Sequence, residues 1–489
     1  MKILFDYLCF LLMPYFLNAA AVHLGPGQTY PNIQAAYIAA AIHPGDTVYL
    51  HAGVYTSFEY LKLKGDSTNW IVFTRYQNDA IEINTGWQFY SSEYLRFEKL
   101  IFKGNANYSG RLLHIHNGGS CQTQSRYIIF DSCSFSGVTD AAAITAFKFG
   151  GVDNFEITNC VFKDIPNCDA INFNVCHNGI IRGNRLENCL TGGHIKGGSS
   201  DITMERNLFI NASSNAWVAF ELGGDTGQQF YCPGDNFEVK NLKFYSNIVI
   251  GGYRGIALSS AIDCKIINNT FYNCGQATLR FLTTSILYPT LKNNRIENNI
   301  FAFGTANYIN GGSQPANASS FAKNIYYSTT NTTFNGPYWD SPELDSIKDP
   351  KPMNFGSETK IFVNYNSNDL NLIQGSPAIG AGQAETEPLY DFYGNKFATN
   401  RSIGAIEYSG AKGVKEEITY DRFLFPNPAE DYIYLPENLI KASNLKIFNS
   451  FGELKLQIKA INNKIDVKNL SNGIYFMQNG DKVYKFIKY

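Results

Sequence analysis

Nine polar residues could share one surface in this chain: His114, His116, Lys148, Asn172, Asn174, His194, Lys196, Glu221 and Arg280. Each sits in a short stretch where apolar and polar residues alternate, so each is expected on the outer side of a strand. Lysine and histidine next to carboxylates can move protons and hold anions. That chemistry suits β-elimination from a uronic acid. The reaction needs a base for the proton α to the carboxylate, and cations or donors for the enolate-like charge. Lys196 is the expected base and His194 the second choice, with neighbours such as Lys148 lowering the pKa. Glu221, with Asn172 or Asn174, would orient the base or hold a cation. Arg254 or Arg280 would grip a substrate carboxylate, and Trp217 and Tyr231 would stack on sugar rings. Asp225 and Asp235 offer oxygen ligands for Ca²⁺, although their spacing fits no calcium-loop signature. Plainer readings stand beside these. Lys196 pairs with Glu221 across adjacent coils, the histidines and loop acids face solvent, and Trp217 is core.

These residues are positioned by a repeat. Asn159, Asn184, Asn207, Asn247, Asn269, Asn299 and Asn324 each open a short apolar run, at spacings of 25, 23, 40, 22, 30 and 25 residues. A period in the low twenties, built of short strands, predicts a β-solenoid. One asparagine at the same corner of every coil could bond its amide to the coils above and below. The polar strip belongs to a second strand in each coil. The spacing of 40 after Asn207 predicts an inserted loop, Gly223 to Asn236, as a wall beside it.

The 489 residues carry a formal net charge of −2, 31 Tyr, 36 Phe and 42 Gly. Such a balance gives no field for nucleic acid or an anionic membrane. Residues 1–21 read as a secretory signal: Lys2, an apolar run from Leu8 to Leu17, then small residues at Ala19-Ala20-Ala21. Of ten cysteines, Cys9 would leave with that signal, and the nine remaining require at least one free thiol. They read as small apolar core residues rather than a disulfide framework. No CxxC pair suggests zinc.

Two stretches resemble known families. Gly27-Gln28-Thr29-Tyr30-Pro31-Asn32-Ile33, then Pro44-Gly45-Asp46-Thr47-Val48-Tyr49-Leu50 and Gly53-Val54-Tyr55, resemble the opening of secreted pectate-lyase-like proteins. Gly375-Ser376-Pro377-Ala378-Ile379-Gly380-Ala381-Gly382 and Ser402-Ile403-Gly404-Ala405-Ile406 look like the tail that closes many of them. The resemblance implies an all-β, right-handed parallel β-helix over 22–408, with a capping helix at its N-terminus. No catalytic block of a lyase family matches residue by residue, so no role is carried over. Phe425-Pro426-Asn427-Pro428, Leu445-Lys446-Ile447 and Asn472-Gly473-Ile474-Tyr475-Phe476 closely resemble the C-terminal sorting domain of the type IX secretion system of Bacteroidota. That implies a small Ig-like β-sandwich over 422–489 behind a linker at 409–421, contact with the secretion machinery, and a secreted or surface-held monomer without a transmembrane segment. The functional expectation is a polysaccharide lyase acting on an acidic glycan. A glycoside hydrolase using Glu221 with Asp169 or Asp225, and a non-catalytic glycan binder, are the alternatives.

Overall fold

The computed structural model describes residues 19–105, 110–138, 145–210, 218–310, 319–339, 349–410, 429, 431–434, 445–449, 453–458, 464–479 and 482–488. Trp217, nearly all of the expected signal sequence and most of the expected linker lie outside the described residues.

Three parallel sheets wind around one core. The first starts with Ala21–Leu24, Thr47–Leu50 and Ile71–Arg75. The second starts with Gly53–Tyr55, Ile81–Ile83 and Ile101–Lys103. The third starts with Glu59–Leu61, Trp87–Tyr90 and Leu113–His116. Rungs stack as far as Tyr338–Trp339 on the third sheet and Met353–Phe355 on the second, giving a parallel β-solenoid of about twelve turns. Inward residues stack on like residues. Phe102, Phe135 and Phe162 form one column with ring centroids 4.8 and 4.9 Å apart, and Phe149 lies 4.7 Å from Phe173. Burying each such ring contributes about 1.5–3 kcal/mol, which single coils could not gain alone.

The corner into the second sheet explains the asparagine repeat. One residue per coil turns the chain with φ between +51° and +67°: Ser132, Asn159, Gly183, Arg206, Ser246, Asn268, Asn298 and Lys323. The next residue starts an internal ladder. Asn207 donates its N–H (2.9 Å) and its Nδ2 (3.0 Å) to Asn247 Oδ1, and its Nδ2 also reaches Ile181 O at 2.9 Å. The same pattern joins Asn184, Asn207, Asn247, Asn269, Asn299 and Asn324, and Asp349 ends it by accepting from Asn324 N. Asn159 stands one residue out of phase with this ladder. It occupies the left-handed corner, and Cys160 is the rung-mate whose N–H donates to Asn184 Oδ1 at 2.8 Å. The equal spacing of 25 hid the slip.

One short helix, Ile33–Ile38, precedes the first full coil. Asn32 Oδ1 accepts from Ala35 N, and buried Glu59 accepts from Gln34 N. Ile33 and Ala36 join the core. The segment 383–408 packs along the side of the asparagine corner rather than across the last coil. Asn298 Nδ2 donates to Gln383 O, and Asn268 Nδ2 donates to Ser402 O and Gly404 O. Buried Arg401 donates to Asn268 Oδ1 and Pro388 O. Beyond the solenoid, Leu445–Asn449, Leu454–Ile458, Gly473–Asn479 and Lys482–Lys488 form a four-stranded antiparallel sheet, while Tyr432–Tyr434 pairs with Lys464–Asp466. They share a separate core around Leu445, Ile447, Met477 and Phe486.

Candidate functional site

The third sheet places the polar strip in register. One outward row runs His114, Lys148, Asn172, His194, Glu221, Ala257, Arg280 across successive rungs. A second row runs His116, Gly150, Asn174, Lys196. Glu221 therefore meets His194 and not Lys196. Arg280 is three rungs from His194, about 14 Å at the usual strand spacing. Arg254 lies outside these rows; its Nε donates to Gln276 Oε1, and its guanidinium sits 4.8 Å over the Tyr253 ring.

His194 is gripped between two carboxylates. Its Nε2 is 3.5 Å from Asp169 Oδ2, and its Nδ1 is 3.2 Å from Glu221 Oε2. Asp169 lies at the edge of a register irregularity that begins after Ile165, two residues before inward Ile171. Thr191 Oγ1 (2.6 Å) and Asn172 Nδ2 (3.3 Å) also donate to it. Burial alone would favour a neutral imidazole, but the two carboxylates outweigh it and raise His194 to about 9. Burial pushes both acids up, and His194 in turn pulls both below their ordinary values. At neutral pH the trio is carboxylate–imidazolium–carboxylate.

Lys148 experiences the opposite field. Burial, then the nearby Arg111 and Lys196 charges, lower its amine from 10.5 to about 8. Burial, with His116, Arg111 and Lys148 beside it, depresses His114 to about 2, so it stays neutral. Arg111 bears no strand-alternation signal in the sequence. It sits before Leu113–His116, and only the fold reveals its closeness to Lys148.

The inserted loop is fastened beside this strip. Glu238 is fully buried and accepts from Gly197 N, Thr226 N, Thr226 Oγ1 and Tyr231 OH at 2.5–3.0 Å. It thereby ties the loop to the turn after Lys196. Tyr231 is engaged in this clamp, its ring edge-on to Tyr288 at 5.0 Å. Lys196 Nζ donates to Asp225 O at 3.1 Å. Gly198 is required here, since a Cβ would lie 2.6 Å from Asp235 Oδ2 at φ +87°. A disulfide, Cys121–Cys232, fixes the loop to the segment following Leu113–His116. The expected pattern of stacked core thiols holds for Cys133, Cys160, Cys168, Cys176, Cys189, Cys264 and Cys274, all buried and none in a disulfide. Sequence gave no means of pairing two cysteines 111 residues apart.

The acids suggested for calcium do not converge. Asp225 Oδ1 accepts from Ile286 N, and Asp235 Oδ2 accepts from Cys232 N. Among the described residues, no three His, Cys, Asp or Glu side chains form a metal-holding group.

Residues 423–488 match the family of secretion system C-terminal sorting domains. This segment indicates export to the cell surface or beyond. No curated protein matches the chain. Among solved structures the chain is similar to the pectate lyase Pel9A, at 12% identity and TM-score 0.47, covering 80% of this chain and 97% of that one. It is also similar to a GH136 lacto-N-biosidase from Eubacterium ramulus (12%, TM-score 0.41, 69% and 67%) and to the PL6 alginate lyase AlyGC (13%, TM-score 0.38, 84% and 61%). Among the described residues, no helix is long and apolar enough to cross a membrane.

Proposed function

We propose that this exported β-solenoid is a polysaccharide-active protein that cleaves an acidic, uronate-containing glycan by β-elimination on its third sheet. The observation that carries the reading is Lys148: its amine is lowered to about 8 beside two further cations, Arg111 and Lys196. An amine near neutrality is a competent base, and its neighbours supply positive charge where an enolate would develop. In this reading Lys148 removes the proton α to the carboxylate. The electron pair forms the new double bond as the bond to the leaving oxygen breaks, and that oxygen takes up a proton. Lys196 and Arg111 hold the carboxylate. The Asp169–His194–Glu221 trio fixes Asn172 between Lys148 and His194. Lys196 as base, the expectation from sequence, becomes a second candidate, since its Nζ is held on Asp225 O.

A hydrolase on this face would need one carboxyl protonated and one ionised. Asp169 and Glu221 are both held low by the imidazolium, which favours elimination. The same reading takes the solenoid as right-handed, with Ile33–Ile38 as its cap, residues 1–21 as signal, 409–421 as linker, 422–489 as an Ig-like sandwich delivered to the secretion machinery, and the mature protein as a monomer.

The test is ultraviolet absorbance of unsaturated uronate when the protein meets pectin, alginate or glycosaminoglycans. Lys148→Ala should abolish the signal, and Lys196→Ala should weaken it. Absence of signal with every uronan, or full activity in Lys148→Ala, refutes the assignment. Reducing ends without unsaturated product would indicate hydrolysis, and retention without turnover would indicate a binder.

A further inference from the structure

Two oxygens within the strip lack any donor. Asn172 and Asn174 are each 7% exposed, and the Oδ1 of each is buried without a hydrogen-bond partner. A buried acceptor left unpaired destabilises the fold, so native chains satisfy nearly all of them. The two lie two residues apart on one face of Val161–Arg182, between the rungs of Lys148 and of His194 and Lys196. The orientation of the Asn172 amide follows from its contacts. Its Nδ2 faces Asp169 Oδ2 at 3.3 Å, and an ionised carboxylate only accepts, so Oδ1 must be the atom turned the other way.

We infer that Asn172 and Asn174 read free hydroxyl groups of the glycan, so that the site selects uronans whose sugar hydroxyls are unmodified. The inference rests on the proposed function and narrows its substrate class. With no donor from the protein, a ligand group can supply one. A cationic donor is excluded by the company of Lys148, Lys196, Arg111 and the His194 imidazolium. The donor is therefore uncharged, and hydroxyls are the uncharged donors every pyranose carries. Lys196 and Arg111 take the carboxylate while the two amide oxygens accept from hydroxyls, so charge and hydroxyl are sensed side by side. Capping the hydroxyl as an ester leaves the carboxylate intact but strands the amide oxygen again. A site built around such a bond discriminates strongly against a ligand lacking it.

The experiment is calorimetric binding at pH 6, where Lys148 is protonated and cleavage is suppressed. The probes are a polyuronate oligomer and its O-acetylated form. The intact protein is compared with Asn172→Leu and Asn174→Leu, which preserve bulk and remove the acceptor. The wild type should prefer the unmodified oligomer by about tenfold or more, and the leucine variants should lose that preference. Asn174→Leu serves as the control for folding, because Asn174 makes no side-chain bond to Asp169. A preference that survives both substitutions would reflect ester bulk alone and would overturn the inference while leaving the lyase reading intact. Failure of every unmodified uronan to bind would overturn both.

Discussion

Removing the charge on His194 should expose how the trio is held. In His194→Gln, Asp169 and Glu221 lose the imidazolium between them, 3.5 Å from one and 3.2 Å from the other. The folded-state pKa of about 9, against an ordinary 6.5, corresponds to about 3 kcal/mol of coupling. Because the folded pKa is raised, that stability is fully present below pH 6.5 and disappears as pH rises through about 9. Urea unfolding of wild type and variant at pH 6, 8 and 10 reads the difference directly. The gap between them should be about 3 kcal/mol at pH 6, smaller at pH 8, and near zero at pH 10, where the wild-type ring is neutral. A gap independent of pH would show that His194 acts by packing alone, and the proposed protonation of the trio would be wrong. Asp169→Asn is the companion. It removes one of the two ion pairs and should lower the pH at which the wild-type advantage fades.

Three further outcomes follow from the geometry. Uronate elimination should rise with pH as Lys148 loses its proton near 8 and fall above about 9 as His194 loses its own, giving a narrow alkaline optimum in initial rate. Glu238→Ala strands Gly197 N, Thr226 N, Thr226 Oγ1 and Tyr231 OH, and should destabilise the loop by about 3–5 kcal/mol, read as faster limited proteolysis between Gly223 and Asn236. Asn247→Leu removes the bonds from Asn207 N and Nδ2 and to Met204 O, and should lower stability by about 2–4 kcal/mol in urea unfolding, whereas the exposed corner change Asn159→Ser should cost under about 1 kcal/mol.

The coil repeat, the corner amides and the sorting segment were legible because each repeats or extends over many residues. The apolar alternation of Leu113–His116 or Ala277–Leu282 states which side chains face out. It does not state which outward residue meets which. His194 and Lys196 have the same parity, so only the rung register decides that Glu221 meets the histidine. Asp169 was legible only as a candidate carboxylate, since it shares the parity of inward Ile171 and simple alternation would not place it beside His194. The poise of Lys148 depends on Arg111, which belongs to no repeat. The out-of-phase Asn159 shows the converse weakness: the residue type and spacing agreed with the ladder, while backbone conformation assigned it the corner instead.

The Cys121–Cys232 crosslink and the Glu238 side chain hold the inserted wall at two separate points, one covalent and one through hydrogen bonds. A rim anchored twice behaves as a banister, not as a door. Under the proposed function, a long polymer would settle onto the polar strip sideways, at any point along its length, without first threading an end. Attack within the chain, with fragments shortening at random, is the pattern of products such a fixed rim favours.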